Sequence, residues 1–455
     1  MRRAAPRARE KNAQPCREPS ISSRISRGHA ERHASSRQAL ADVLTPRRSR
    51  ASPEGSPCPM SMQTGRRVGV AFVGMGGAVA TTAIAGIEMI KSGSNRLDGL
   101  PLAGKAVAGM VGYKDLVFGG WDLNGDDLGA AASTHGVLTK QDLENGAQVL
   151  NTMRPWPAVG SAKFCKNIDG QNRIVAKDHR EAVTAIAEDL RRFRKEAGVD
   201  EVVVVNLAST ERWPDLTAPS LNSRAAFERG LDESDEAISP AMLYAYAAIK
   251  NGIPYANFTP SVAADVPALI DLARELNVPV AGKDGKTGQT MMKTVLAPAL
   301  KARALHVDGW FSTNILGNRD GLALNDPSSL QSKLNTKGTV LDSILGYPVE
   351  DHLVHIHYYR PRGDDKEAWD NIDVTGFLGQ KMQIKINFLC KDSILAAPLV
   401  IEIARVLDLA KKRGDGGVQE QLSLFFKAPM VRNGHGPEHA FGVQERMLAD
   451  WLGVH

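Results

Sequence analysis

Large apolar residues are sparse and without period over the first 64 positions, and the pattern changes abruptly at Arg66. Val68-Gly69-Val70-Ala71-Phe72-Val73 is a continuous apolar run of strand length, as expected of a strand buried on both faces. A glycine-rich turn follows, and Ala78 to Lys91 reads as a helix. After a long insertion, Asp115 to Gly119 reads as a strand ending in Gly120-Trp121-Asp122. The densely charged, amphipathic stretch Asp178 to Ala197 reads as a helix leading into Glu201-Val202-Val203-Val204-Val205-Asn206, the clearest buried parallel strand of the chain. Pro240 to Asn251 predicts a further helix, with Ser239 as its N-cap and a proline at the first helical position. Ala263 to Asn277 predicts another. Short apolar segments follow each, at Pro254 to Phe258 and Val278 to Ala281.

Strands alternating with helices in this way predict an α/β fold with a doubly wound, Rossmann-type parallel sheet. The texture changes from about 291 to 394, where strand-like runs such as Leu353 to Tyr359 and Met382 to Cys390 have fewer helices between them. The expected layout is a dinucleotide-binding domain over 65–290, an inserted α+β domain over 291–394, and a return to the first domain over 395–455.

Composition changes this picture at the N-terminus only. Hydrophobic (43%) and charged (24%) fractions are those of ordinary globular chains. Residues 1–60 hold twelve Arg and one Lys against four Glu and one Asp, a net of +8, so the rest of the chain carries −3 of the total +5. The basic balance therefore reports a tail and gives no reason to expect nucleic acid on the body. Three readings of 1–64 stand: a disordered tail or a translation start set too early (Met60 and Met62 could each serve as the start), a transit peptide, or a nucleic-acid-binding arm. Cys16, Cys58, Cys165 and Cys390 form no CxxC pair, which fits a reducing, cytoplasmic setting. Cys390, in an apolar run, reads as a buried structural thiol. No apolar stretch approaches the roughly 20 residues of a membrane helix.

Gly74-Met75-Gly76-Gly77, placed directly after a strand and before a helix, has what a pyrophosphate needs. Glycines allow a tight turn and close backbone approach, and the helix N-terminus offers unpaired N–H groups. Thr81 and Thr82 are expected to add hydroxyl donors. Val79 stands where a third glycine would fall. Asp122, at the end of the second strand, is the candidate acid for a ribose hydroxyl, although an insertion must be looped out to bring it there. The ordinary alternative is a glycine turn that holds no ligand.

A second polar, glycine-punctuated loop, Gly282 to Thr290, feeds the helical run Met291 to Leu300 and reads as an anion site to which Lys286 and Lys293 could add charge. Lys333 and Lys337 stand one helical turn apart, Lys366 follows Gly363-Asp364-Asp365, and Lys427 sits in the apolar frame Leu424 to Pro429. Lys427 is either a snorkelling side chain or a buried functional amine. Asp284, Asp320 and Asp392 are the acidic candidates, each equally readable as a cap or turn residue. His355 and His357 alternate on one strand face. Without a third ligand at metal spacing they favour a solvent-facing role over zinc.

Taken in order, these motifs resemble the myo-inositol-1-phosphate synthase family from about residue 66 to 430. The resemblance rests on Gly74 to Thr82, Gly120-Trp121-Asp122, Ala208 to Trp213, Asn257-Phe258-Thr259-Pro260, Thr287 to Lys293, Leu316 to Gly321 with Ser332-Lys333, Asp392 to Leu399, and Lys427-Ala428-Pro429. It implies a Rossmann domain built from both ends of the chain and a central domain that carries catalysis and assembles a homotetramer. It implies NAD and D-glucose 6-phosphate as ligands and a redox-neutral cyclisation to a myo-inositol monophosphate. A monovalent or divalent cation is a candidate addition, with no assigned metal ligands.

By that resemblance Lys333, Lys337, Lys366, Lys427, Asp284, Asp320 and Asp392 are catalytic, with Lys333 handling the C5 hydroxyl proton and Lys427 or Lys366 polarising O1. Gly74, Met75, Gly76, Gly77, Ala78, Thr81, Asp122, Ala208, Ser209, Thr210, Asp284 and Asp320 would contact the cofactor, and Thr287, Gly288, Gln289 and Thr290 the substrate phosphate. The chain departs from the family pattern at Ala78-Val79, at Ser209 to Trp213, and at Arg319, which replaces a second asparagine. Arg319 keeps a cyclase of another hexose phosphate open. A net NAD-dependent sugar-phosphate dehydrogenase and a non-enzymatic NAD-binding regulator stay open beside it.

Overall fold

The computed structural model of the chain describes residues 65–324, 340–432 and 434–454. The tail over 1–64 and the candidate lysines Lys333 and Lys337 lie outside the described residues.

Seven strands form one parallel sheet: β1 (Val68–Val73), β2 (Leu116–Asp122), β3 (Trp156–Pro157), β4 (Glu201–Asn206), β5 (Tyr255–Asn257), β6 (Pro279–Gly282) and, from near the C-terminus, β11 (Gly417–Val418). Their order across the sheet is β11-β6-β5-β4-β1-β2-β3. All six residues of β1 are buried, and so are the four valines of β4. Helices cover both faces: α1 (Ala78–Ser92) and α11 (Asp392–Arg413) on one, α4 (His179–Ala197), α6 (Pro240–Lys250) and α7 (Pro267–Glu275) on the other.

Local chemistry sets the helix ends. Asp178 caps α4 by accepting the Glu181 N–H, and Gly198 closes it in the left-handed conformation. Ser239 caps α6 ahead of Pro240, as expected. The predicted helix over 263–277 is shorter, because Pro267 supplies its first helical position and the chain before it is not helical. Between β2 and α4, where the sequence pattern predicts no helix, stand α2 (Leu128–His135) and α3 (Lys140–Leu150). Also unforeseen are α5 (Arg224–Glu233) and α12 (Phe441–Leu452).

Helix α8 (Gln289–Ala302) leads out of the first sheet into a second, mixed one. Here β7 (His306–Leu316) runs parallel to β8 (Asp351–Tyr358) and antiparallel to β9 (Asp365–Thr375), which pairs antiparallel with β10 (Lys381–Lys391). The resulting order is β10-β9-β7-β8. A short helix, α9 (Arg319–Leu324), follows β7, and α10 (Val340–Leu345) packs beside α8 on the covered face. The opposite face is open. Phe311 and Leu353 pair across it, with Trp369 and Leu389 exposed on the same side. His355 and His357 also lie exposed on this face, in keeping with a solvent-facing role. Among the described residues no group of His, Cys, Asp or Glu could hold a metal ion, and no helix is long and apolar enough to cross a membrane.

The 22-residue α11 starts directly after the last residue of β10 and ends beneath the first sheet, joining the two layers. Its buried Glu402 accepts the Tyr113 hydroxyl (2.6 Å) and the Leu102 N–H (3.0 Å) and pairs with Arg405 (2.6 Å). This satisfies a charge that would otherwise be costly to bury.

The sheet tolerates little change at Gly120. Its φ is +148°, and an added Cβ would lie 2.0 Å from the Phe72 carbonyl oxygen on the neighbouring strand. Gly120→Ala should therefore destabilise the fold by about 3 kcal/mol or more. Thermal unfolding measures this, and an unchanged midpoint would contradict it.

Candidate active site

Order reverses in the first sheet between β1 and β4, the point where open α/β sheets bind ligands beyond their strand ends. The glycine turn lies there. Gly74 has φ +89°, and an added Cβ would come within 3.1 Å of the Leu207–Ala208 backbone, so the turn and the close approach both need glycine. The Gly74 and Met75 N–H groups donate to the Trp121 carbonyl (2.8 and 2.9 Å), and Gly77 donates to Gly74 (3.0 Å). α1 begins at Ala78 with no side-chain cap and no acid in its first turn. Its first residues, Ala78 to Ala80, line the cleft, where the N-terminal amides and the positive dipole end favour an anion.

Some expected contacts do not point into this cleft. The Thr81 hydroxyl donates to Gly77 and Ala78 (2.9 and 3.2 Å) and the Thr82 hydroxyl to Ala78 (2.7 Å), so both are consumed inside α1. The Met75 side chain is buried in the core behind the turn. Asp122 does line the cleft. One of its oxygens accepts the Gly76 N–H (2.9 Å) and the other the Asn124 N–H (3.0 Å), so the acid also braces the turn. Burial raises its pKa, against the pull of these hydrogen bonds and of Arg319 and His135. His135 bonds the Gly76 carbonyl through Nε2 (2.7 Å).

Ala208, Ser209 and Thr210 line the same cleft beyond the end of β4. The next residues hold them in place. Glu211 is buried; its N–H donates to Ser261 Oγ (3.0 Å), and its carboxylate accepts the Ala241 N–H at the start of α6 (3.1 Å). Burial pushes its pKa up to about 7. The Arg212 guanidinium stacks 4.4 Å from the centre of the Phe164 ring, and the Trp213 ring receives the Lys283 ammonium at 4.5 Å.

At the cleft's other end two buried lysines meet two aspartates. Lys427 Nζ lies 2.7 Å from Asp284, and Lys366 Nζ lies 3.4 Å from Asp392. The Thr287 hydroxyl donates to the same Asp392 oxygen (2.9 Å). All five residues line the cleft. Lys427, left open by the sequence, is thus a buried amine and not a snorkelling one.

The rest of the expected phosphate loop is divided. Gly288 precedes α8 without a side-chain cap. Gln289, however, is turned away into the second sheet, where it accepts from Asn314 Nδ2 (2.7 Å) and lies beside Asp370. Thr290 is buried at the second position of α8 and does not line the cleft. Lys286 and Lys293 bring no charge to the site. Lys286 bonds Gln444 beneath the Phe441 ring, and Lys293 bonds His352 (2.7 Å) over Trp310. Burial lowers their pKa values to about 7 and about 8. Asp320 occupies the second position of α9, and its side chain lies outside the described residues. Cys390 is half-buried, with its pKa raised to about 11 by burial, which leaves an unreactive thiol.

Several groups went unrecognised in the sequence, among them His135 and Asp169 on the cleft wall and Asp364 behind it. Asp364 is buried and accepts from Ser393 Oγ (2.7 Å), the Ser393 N–H (3.0 Å) and Asn318 Nδ2 (3.2 Å). It latches the start of α11, which carries Asp392, to the turn before α9. The available signal was the Gly363-Asp364-Asp365 turn, which looks like any other loop acid.

The family model described as myo-inositol-1-phosphate synthase matches residues 89–453. Inositol-3-phosphate synthase 1 of Bacteroides thetaiotaomicron is 42% identical over 407 residues, covering 85% of this chain and 95% of the relative. Inositol-3-phosphate synthase 1 of Oryza sativa subsp. japonica is 30% identical, covering 85% of each. Among solved structures, inositol-3-phosphate synthase of Caenorhabditis elegans superposes with a TM-score of 0.81 at 26% identity over 85% of both chains. A myo-inositol-1-phosphate synthase-related protein of Thermotoga maritima gives 0.70 at 25% identity, covering 86% of this chain and 99% of the other.

Glu211 provides a test of how the Ala208, Ser209 and Thr210 segment is anchored. Its folded pKa of about 7 stands above the ordinary 4.5. The folded state therefore binds the proton more tightly, and the stability this gives is complete below about pH 4.5 and lost as pH rises through about 7. Glu211→Gln removes the titration and retains an acceptor for Ala241. The stability of the variant relative to the parent should therefore rise between pH 5 and pH 8. Parallel unfolding-midpoint profiles for the two proteins would contradict the assignment.

Proposed function

The chain belongs to the myo-inositol-1-phosphate synthase family, and from that premise we propose that it converts D-glucose 6-phosphate to myo-inositol 1(3)-phosphate with NAD as a resident cofactor. The carrying observation is that two buried lysines, each paired with an aspartate, share one cleft with a glycine turn and an uncapped helix N-terminus. The turn fits a dinucleotide: Gly74 leaves space that a Cβ would close, the amides of α1 face outward, and Ala78, Asp122, Ala208, Ser209 and Thr210 line the walls.

When bound, NAD supplies oxidation at C5 and the matching reduction at the end, so that the sequence of oxidation, enolisation, C6 attack on the C1 aldehyde and re-reduction is redox-neutral. The protein's part is proton handling and charge stabilisation. Negative charge develops on O5 during enolisation and on O1 during ring closure, and ammonium groups fixed in a buried site stabilise it without reorganisation. We assign this role to Lys366 and Lys427, and the contacts with Asp392 and Asp284 support it by fixing their ammoniums. Lys333 is proposed to move the C5 hydroxyl proton, with Lys337 and Asp320 completing the set. The uncapped start of α8 at Gly288, with Thr287 beside it, is the proposed seat of the substrate phosphate.

Homotetramer formation in the cytoplasm belongs to the same reading. The open face of the second sheet supports it, since Phe311, Leu353, Trp369 and Leu389 expose apolar area there that a partner subunit would cover.

Incubation of the protein with glucose 6-phosphate and NAD⁺, followed by phosphorus and proton NMR, should show an inositol monophosphate without net accumulation of NADH. Accumulating NADH would identify a dehydrogenase, and a different carbocycle would identify another cyclase. Lys366→Ala and Lys333→Ala should each lower turnover by about 100-fold or more while NAD binding persists. Retained turnover in either variant would remove that lysine from the mechanism.

A further inference from the structure

Arg319 is one of the positions at which the sequence departs from the pattern it otherwise resembles, and it lines the cleft from its rim. Its base is rigidly placed. The Gly317 N–H donates to the Gly363 carbonyl (3.0 Å), and an added Cβ at Gly317 would lie 2.4 Å from the Tyr359 carbonyl oxygen. Asn318 is held by Asp364 (3.2 Å) and itself accepts the Gly321 N–H (3.1 Å). The guanidinium therefore starts from a backbone locked to the second sheet, and its side chain lines the same cleft as the glycine turn. The two groups whose ionisation it influences are Asp122 and His135, and both touch Gly76 of the glycine turn.

The charge at that end of the cleft calls for a cation. A dinucleotide brings a diphosphate into a cleft whose lining acids include Asp122 and Asp169. Asp169 is paired with Arg173, whereas Asp122 is braced by backbone amides under the influence of His135 and Arg319. The start of α1 offers a partial positive charge alone. Lys366 and Lys427 are engaged by their aspartates at the sugar end. Of the described side chains lining the glycine-turn end, Arg319 is the one with a permanent positive charge, and its planar fork suits phosphate oxygens.

We propose that Arg319, reaching from the second sheet across the cleft, binds the diphosphate of the dinucleotide and closes the site over the glycine turn. This rests on the proposal that the glycine turn holds a dinucleotide, and it assigns the cofactor a binding residue outside the first sheet. It also accounts for an arginine in this cleft without invoking a different sugar substrate.

The test is calorimetric titration of the full chain and of Arg319→Asn and Arg319→Lys with AMP, ADP and 2′,5′-ADP, with the Michaelis constant for glucose 6-phosphate measured at saturating NAD. The parent should bind ADP more tightly than AMP. Arg319→Asn should lose about tenfold in ADP affinity and little in AMP affinity, and Arg319→Lys should recover part of the loss. Unchanged ADP affinity in Arg319→Asn would overturn the proposal. So would a loss confined to 2′,5′-ADP, which would make the arginine a reader of the ribose, or a rise confined to the glucose 6-phosphate constant, which would return it to the sugar. A parent chain that binds neither NAD nor ADP would instead remove the dinucleotide reading itself.

Discussion

The site depends on a short zipper between two segments about 140 residues apart. Lys283 and Ala428 exchange backbone hydrogen bonds (2.8 and 3.2 Å), the Lys427 N–H donates to the Asp284 carbonyl (2.7 Å), and Met430 donates to Gly282 (2.7 Å). The Lys286 N–H reaches the Phe425 carbonyl (2.8 Å), and Gly285 bridges Phe426. Inside this zipper lies the Lys427–Asp284 ion pair, with both side chains buried. Burying two opposite charges is at best neutral for stability when compared with a well-packed apolar pair, and removing one partner costs roughly 3–5 kcal/mol. Stability therefore does not explain the pair. Its geometric consequence is that an ammonium is held at a fixed point in the cleft, and the loop that starts α8 is fixed to the same frame.

That arrangement also shows why the fold was more legible than the site. The β1 and β4 runs carry no polar interruption, so their burial could be read directly, and the glycine turn between β1 and α1 falls at the strand-order reversal. β9 is the counter-example. Its covered face carries Lys366, Ala368, Asp370, Ile372 and Val374, so charged residues stand where alternation requires apolar ones, and the strand signal disappears. β7 is obscured by an irregularity between Val307 and Gly309, which shifts the phase of its alternation. The elements hardest to read from the pattern are those whose inward faces do polar work.

Side-chain direction was the other hidden quantity. Thr81, Gln289, Lys286 and Lys293 all have suitable chemistry in or just after suitable loops, yet each spends it elsewhere. Spacing along a chain places a residue on an element but does not say which neighbour competes for its hydrogen bonds, and a helix start offers its own carbonyls first. Asp364 is the converse. Nothing in its local sequence separates it from Asp365, but only Asp364 faces Ser393 and Asn318 across the seam.

The seam between the sheets is where these polar inward faces meet. Asp370 accepts from Trp310 Nε1 (2.7 Å) and Ser312 Oγ (2.6 Å), Gln289 joins Asn314, and all are buried. An apolar interface of the same shape could slide or repack, because dispersion contacts are individually weak and non-directional. Directional hydrogen bonds between α8 and the second sheet instead fix one register. The same logic applies to Asp364 at the start of α11. Lys366 stands on the strand, Asp392 on the helix and Thr287 on the loop, and their meeting depends on both registers being right at once. An arrangement of side chains spread over two sheets takes its precision from such buried polar contacts, because apolar packing alone would not fix an ammonium's position to a fraction of an ångström.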